Sequence, residues 1–247
     1  MAPPLRGDGR QPRLLKTMTP ADVARVVAED PRLILPVGTC EQHGPHLPMG
    51  TATIIAECLA DDFSAEYGVI RAPTVEYGVN VVTERDFPGN GSVRRKTLHR
   101  MLNDLLASWE ASGFREFILL SAHDHDPHQE AMATVITSVS RVRVVDVFAV
   151  NLADLLEGQQ QHMHGDEVDT SLMLYLAPEL VHMALAEDHM VSREVVRRYR
   201  RGQMRVPKES AGSVGRPTLA SAEKGRAIYE RIRTRLSERM FLAPVED

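Results

Sequence analysis

The chain of 247 residues alternates short apolar runs with stretches of helical periodicity. Residues 33–35 and 117–120 are runs of the kind that forms buried strands, and the apolar spacing over 51–67 and 96–112 predicts helices. Strands separated by helices predict an α/β fold, in which a mainly parallel sheet is covered on both faces. In such sheets ligands bind outside the carboxyl ends of the strands, so the residues that follow each run are candidates for function.

The rest of the chain extends the same pattern. Further helices are predicted over 20–28, 127–140, 166–176 and 221–239, and further strands over 69–75 and 142–150. Residues 1–17 resemble a loose N-terminal tail, and residues 18–247 are predicted to form a single domain. Residues 76–93 form a long loop, and loops of that length inside a compact domain are often functional.

Metal-binding side chains follow both apolar runs. Glu41 and His43 come just after the first predicted strand, and side chains two positions apart on extended backbone point the same way. His123 and His125 come just after the second run. A carboxylate combined with imidazoles suits Zn or Mn. The sequence therefore predicts one shared metal centre at the ends of two strands.

Composition narrows the class of partner. The formal net charge of −5 argues against nucleic acid as the main partner. No apolar stretch approaches the ~20 residues that span a bilayer, so no membrane partner is expected. Cys40 and Cys58 are the only cysteines, and the N-terminus lacks the apolar segment of a signal peptide. Both features favour a cytoplasmic location.

Four motifs in order resemble those of the creatininase family, which includes mycofactocin-peptidase and formamide-hydrolase relatives. Residues 41–48, Glu-Gln-His-Gly-Pro-His-Leu-Pro, are similar to the signature of these metal-dependent amidohydrolases. The segments 86–92, 164–173 and 217–226 resemble the family's Phe-Pro-Gly-Thr loop, its His-Ala-Gly-x-x-Glu-Thr-Ser segment and its Ala-Ser-Ala-Glu-Lys-Gly block. Together the matches span roughly residues 30–235.

The resemblance implies a three-layer α/β/α sandwich, a homo-oligomer that is often a hexamer, and a pair of divalent metals. Family members hydrolyse cyclic amides, formamides or peptide ends. In the members that this chain resembles, the positions of Glu41, His43, His123 and His125 bind the metals. The position of His164 lies over the site and handles substrate or protons.

Several positions depart from the family pattern, including Met163 in place of a Glu that often precedes the third-motif His. Ala52 stands where the family has an Asp that bridges both metals, and His125 stands where the creatininases proper have a metal-binding Glu. Asp169 replaces the longer Glu of the third motif. Loss of the bridging anion leaves the repulsion between two dications less screened. One or two ions per subunit, a rearranged pair and no metal all remain open, with Asp124, Asp126 and Asp166 as candidates to compensate.

The sequence thus favours a metal-dependent amidohydrolase that cleaves a C–N bond of a small amide, lactam or formamide through a metal-activated water. His164 is the predicted catalytic residue, which protonates the leaving nitrogen. The predicted contacts to the substrate, or to the ligands through hydrogen bonds, are Asn80, Glu84, Asp124, Asp126 and Asp169.

A second reading is an altered or non-catalytic relative of the creatininases. Such a protein would keep the fold and the oligomer but serve as a small-molecule binder, a scaffold or a lyase of specialised metabolism. Ala52 is the feature that favours this reading, whereas the retained Glu41, His43, His123 and His164 count against it.

Overall fold

The structure is a computed structural model that describes residues 10–80, 87–201 and 210–242. The chain divides into two compact units. The first comprises Met1–Cys40, Ala52–Asn80 and Gly91–Asp146, and the second comprises Glu41–Thr51, Val81–Asn90 and Val147–Asp247.

The first unit contains a five-stranded sheet. Its strands are β1 (Arg13–Leu14), β2 (Arg32–Pro36), β3 (Ile70–Arg71), β4 (Glu116–Ser121) and β5 (Arg141–Asp146). They lie in the order β1-β3-β2-β4-β5, and every neighbouring pair is parallel. This confirms the predicted α/β class with a mainly parallel sheet. Strand β1 falls inside the segment 1–17, for which the sequence predicts a loose tail.

Among the described residues, four helices belong to the first unit: α1 (Pro20–Glu29), α2 (Thr51–Tyr67, from Ala52 onward), α3 (Arg95–Ala111) and α4 (Asp126–Ala133). Helix α1 begins where Thr19 and Asp22 cap each other reciprocally, as a capping box requires. Helix α4 ends earlier than the predicted 127–140. The backbone N–H groups of residues 138–140 donate to the carboxylate of Glu110, which holds that segment as a loop.

The apolar runs of β2 and β4 are buried on both faces. Leu33 and Leu35 share a core with Phe117, Leu119 and buried side chains of α1, α3 and α4. The alternate residues Ile34, Ile118 and Leu120 point to the other face and are also fully buried. Burial on both faces explains why these strands read as continuous apolar runs rather than as an alternating pattern.

The second unit is helical. Its helices are α5 (Glu167–Leu176), α6 (Arg193–Arg200) and α7 (Ala222–Ser237), with a π-helical turn at Glu238–Leu242. Helices α5 and α7 pack closely, because a Cβ at Gly225 would lie only 1.8 Å from the carbonyl oxygen of Ser171. Across the described ranges, none of the helices has the length and apolarity needed to cross a membrane.

Candidate metal centre

The second unit brings together one carboxylate and two imidazoles. Glu41, His43 and His164 each offer a ligand-type atom, and these atoms lie within 4.8 Å of one another. All three side chains are buried, with Glu41 fully inaccessible to solvent. Two of the predicted metal ligands are thus close to the predicted catalytic histidine.

A backbone carbonyl fixes the ring of His43. Its Nδ1–H donates to the carbonyl oxygen of Glu41 at 3.0 Å. A ligating histidine usually donates its other ring N–H in this manner. The His43 and His164 rings have centroids 4.6 Å apart and are tilted by 30°.

Backbone contacts also orient His164. Its Nε2 donates to the carbonyl oxygen of Gln42 at 2.8 Å, and its main chain pairs with Val214 in an isolated antiparallel bridge. Burial, and to a smaller extent the neighbouring His43, lower the pKa of His164 to about 3, although Asp169 opposes the shift. The lowered pKa favours the neutral ring at pH 7, and Nε2 of His164 also lies 3.1 Å from Nε2 of Gln42.

Two carboxylates at the start of α5 support this segment. Asp166 caps the helix by accepting from the N–H groups of Val168 and Asp169 at 2.9 and 3.0 Å. Asp169 accepts from Nε2 of His162 at 3.0 Å. Burial raises the pKa of Asp169, but His162, which is close by and donates a hydrogen bond, more than offsets this and lowers it overall.

The first unit places His123 and His125 around one carbonyl group. Nε2 of His123 and Nδ1 of His125 both donate to the carbonyl oxygen of Val79, at 3.1 and 2.8 Å. The Nε2 atom of His125 is buried and has no hydrogen-bond partner among the described residues. Burial lowers the pKa of His125, although Val79, Asp124 and Asp126 oppose the shift. A neutral ring with a free lone pair is the form that binds a metal.

His128 belongs to the same group of rings but is fully engaged. Its Nδ1 accepts from the N–H of Val79 at 3.2 Å, so its Nε2 donates to Ser121 Oγ at 3.2 Å. The ring centroid of His123 lies 4.8 Å away. With both nitrogens occupied and the side chain fully buried, His128 is a structural residue.

The other residues predicted to contact the substrate or the ligands differ in burial. Asn80 is buried, and its Nδ2 donates to the carbonyl of Cys40 at 2.8 Å, while its Oδ1 has no hydrogen-bond partner in the part of the chain described. Asp124 is half-buried, and Asp126 is exposed at the start of α4. Glu84 lies outside the described residues.

Comparison with known proteins decides the family. The family model Creatininase, described as creatinine amidohydrolase, matches residues 16–240. The chain belongs to the creatininase family.

Two proteins similar in sequence to this creatininase-family chain have names that describe hydrolytic enzymes. A 3-dehydro-scyllo-inosose hydrolase of Thermotoga maritima is 26% identical, covering 87% of this chain and 78% of its own. A mycofactocin precursor peptide peptidase of Mycolicibacterium smegmatis is 29% identical, covering 81% of this chain and 80% of its own.

Solved creatininase structures share the fold. One named creatininase Mn has a TM-score of 0.77 at 22% identity and covers 94% of this chain and 100% of its own. A Zn–Zn form of a mutant creatininase has a TM-score of 0.78 at 24% identity and covers 94% of this chain and 99% of its own. The sequence predicts manganese or zinc, and these are the two metals named for these creatininase structures.

Ala52 stands where the sequence resemblance implies an Asp. It is buried near the start of α2, and its methyl group offers no ligand atom.

The sequence did not single out three residues that contact the histidine clusters or belong to them: Gln42, His128 and His162. His162 precedes His164 by two positions, and that spacing is the same signal that singled out Glu41 and His43.

Proposed function

We propose that this protein is a metal-dependent amidohydrolase that cleaves a C–N bond of a small amide, lactam or formamide rather than an ordinary peptide bond. The observation that carries the proposal is the buried trio of Glu41, His43 and His164, with ligand-type atoms within 4.8 Å of one another. A carboxylate and imidazoles buried together are typical of a site for a divalent metal. Similarity to proteins named hydrolases supports the reaction class.

Zn or Mn fits the donor set, with one or two ions per chain. Glu41 supplies a carboxylate oxygen, and His43 supplies Nε2, because its Nδ1 is held by a backbone carbonyl. When bound, such an ion acts as a Lewis acid that polarises a carbonyl group and lowers the pKa of a water toward about 7. His123 and His125 stay predicted ligands, and the unpartnered Nε2 of His125 supports that prediction.

His164 transfers the proton in this proposal. Its pKa is lowered by burial, so the neutral ring, which has one unprotonated nitrogen, is favoured at pH 7. The ring takes a proton from the water that attacks the carbonyl carbon and then delivers it to the leaving nitrogen as the C–N bond breaks. The nearby carboxylate of Asp169 stabilises the ring while it is charged.

Asn80 is the residue we assign to substrate binding in the first unit. Its buried Oδ1 has no hydrogen-bond partner among the described residues, and an unpaired buried acceptor is costly. An amide N–H of the substrate is a suitable donor for this oxygen. The roles of Asp124, Asp126 and Glu84, the homo-oligomer, the absence of nucleic-acid and membrane partners, and the cytoplasmic location remain predictions from the sequence.

The proposal is tested by incubating the purified protein with a panel of formamides, lactams and small linear amides, with a short peptide for comparison. Release of the amine is measured before chelation, after chelation and after Zn or Mn is returned. We expect metal-dependent turnover of at least one small amide and none of the peptide. A protein that binds metal but hydrolyses nothing in the panel would favour the binder, scaffold or lyase instead.

A further inference from the structure

His164 sits between two backbone amides that are both held by carboxylates of α5. Asp166 accepts from the N–H of Met163 at 2.6 Å, and Asp169 accepts from the N–H of Gly165 at 2.8 Å. Because both carboxylates belong to the first turn of one helix, the segment on each side of His164 is tied to a rigid element.

We propose that Asp169 and His162 act together as a positioning device for His164, which fixes the orientation of its ring beside His43. The inference rests on the role proposed for His164, but concerns a different property. Neither Asp169 nor His162 needs to contact the substrate. They act through the backbone around His164.

Asp169 divides its two oxygens between both sides of His164. Oδ1 accepts from Nε2 of His162, two residues before it, and Oδ2 accepts from Gly165, one residue after it. The His162 ring is held from another direction by Phe148, whose ring stacks on it with centroids 3.7 Å apart and 13° between planes. The hydrogen bond and the stacking contact together restrict the His162 ring, which in turn fixes the position of the Asp169 carboxylate.

Gly165 brings the segment that carries His164 into close contact with the backbone of His43. Its φ of +56° lies in the left-handed region, which favours glycine. A Cβ at this position would lie 2.4 Å from the carbonyl oxygen of His43, so the backbone of Gly165 is pressed against that of His43. A small movement of Gly165 therefore changes how the His164 ring meets the His43 ring.

The same residues could be read as a second metal site, because His162, Asp166 and Asp169 also offer ligand-type atoms within 4.8 Å of one another. Their hydrogen bonds argue against that reading. Both oxygens of Asp169 accept from His162 and Gly165, and both oxygens of Asp166 accept from N–H groups. The group is better explained as a hydrogen-bond network.

The test is ¹⁵N NMR of the histidine side chains in the metal-free protein, which reads the orientation of His164 without depending on hydrolysis. The variants are Asp169→Asn, His162→Phe and His162→Gln. His162→Phe retains a ring that can stack on Phe148 but removes the N–H, whereas His162→Gln retains a donor. Glu167→Gln is the matched control, because Glu167 is a buried carboxylate of the same helical turn that pairs with Lys224 instead.

The wild type, Glu167→Gln and His162→Gln should each show one protonated and one unprotonated nitrogen for His164. Asp169→Asn and His162→Phe should lose this pattern and show resonances averaged between the two tautomers. Wild-type resonances in a folded His162→Phe protein would overturn the proposal, as would an equal loss in Glu167→Gln. If no amide is hydrolysed while the resonances change as expected, the proposed function fails and the positioning device stands.

Discussion

The two units each contain a histidine cluster, and the clusters are built differently. In the second unit, His43 and His164 are accompanied by the carboxylate of Glu41, and each ring uses one nitrogen to bond a backbone carbonyl. In the first unit, His123 and His125 share the carbonyl of Val79, whereas His128 uses both nitrogens.

The difference bears on which histidines are suited to a functional role. A ring with one nitrogen anchored and one available is suited to binding a metal or transferring a proton. A buried ring with both nitrogens bonded within the protein, such as His128, contributes to stability instead. The hydrogen-bond partners of each ring nitrogen therefore help to distinguish functional from structural histidines. The residue type alone does not make this distinction.

The largest effect is expected for His164→Ala. If His164 transfers the proton, its removal should reduce kcat by about 10²- to 10⁴-fold. Metal content and thermal stability should change little, as measured by elemental analysis and calorimetry. His99→Ala is the control, since His99 lies on α3 outside both clusters. Loss of the metal together with activity would instead make His164 a ligand.

The structural assignment of His128 predicts a loss of stability. His128→Ala leaves a cavity and removes the partners of Ser121 and of the Val79 N–H, which should cost about 2–4 kcal/mol in the free energy of unfolding. His125→Ala should cost less, because the carbonyl of Val79 keeps its bond from His123. Urea unfolding compares the two variants. Equal losses would show that the distinction between the rings is wrong.

The free energy of unfolding should fall in mild acid, because each unit contains a buried histidine with a lowered pKa. Burial lowers the pKa of His46 to about 4 and that of His128 to about 3, each from an ordinary value of 6.5. Their stabilisation is complete above pH 6.5 and is lost as the pH falls toward these values, because only the unfolded chain binds the protons. Each histidine contributes a slope of up to about 1.4 kcal/mol per pH unit.

Denaturant unfolding between pH 7 and 4 measures this slope for the wild type and for His46→Gln and His128→Gln. Each substitution should flatten the curve, because it removes one of the protons taken up on unfolding. A slope that neither substitution alters would assign the acid sensitivity to other groups.

The smallest expected effect concerns Ala52. Ala52→Asp restores an anion that can offset the repulsion between two dications, so the number of ions per chain should rise toward two. Ala52→Asn, which has a similar shape and no charge, is the control. Unchanged stoichiometry in a folded Ala52→Asp protein would indicate a site rebuilt around another ligand, with His125 the first candidate.

The sequence predicted the parallel sheet well, because the fully buried runs of β2 and β4 carry their own signal in Leu33–Leu35 and Phe117–Leu120. It also singled out Glu41, His43 and His164 from a motif and its spacing, and the structure brings these three together, while their metal-binding and catalytic roles stay predictions. It missed the pairing of His162 with Asp169, since a contact across seven residues depends on how the chain turns at Gly165. The boundaries of α4 depended on Glu110, a residue distant in sequence.

Metal content tests the central claim most directly. Protein purified without chelator is analysed for Zn and Mn, together with Glu41→Gln and His43→Ala variants. We predict at least about one ion per wild-type chain, as expected for a tight protein site, and a large loss in both variants. Less than ~0.2 ion per wild-type chain that soaking in Zn or Mn does not restore would contradict the account.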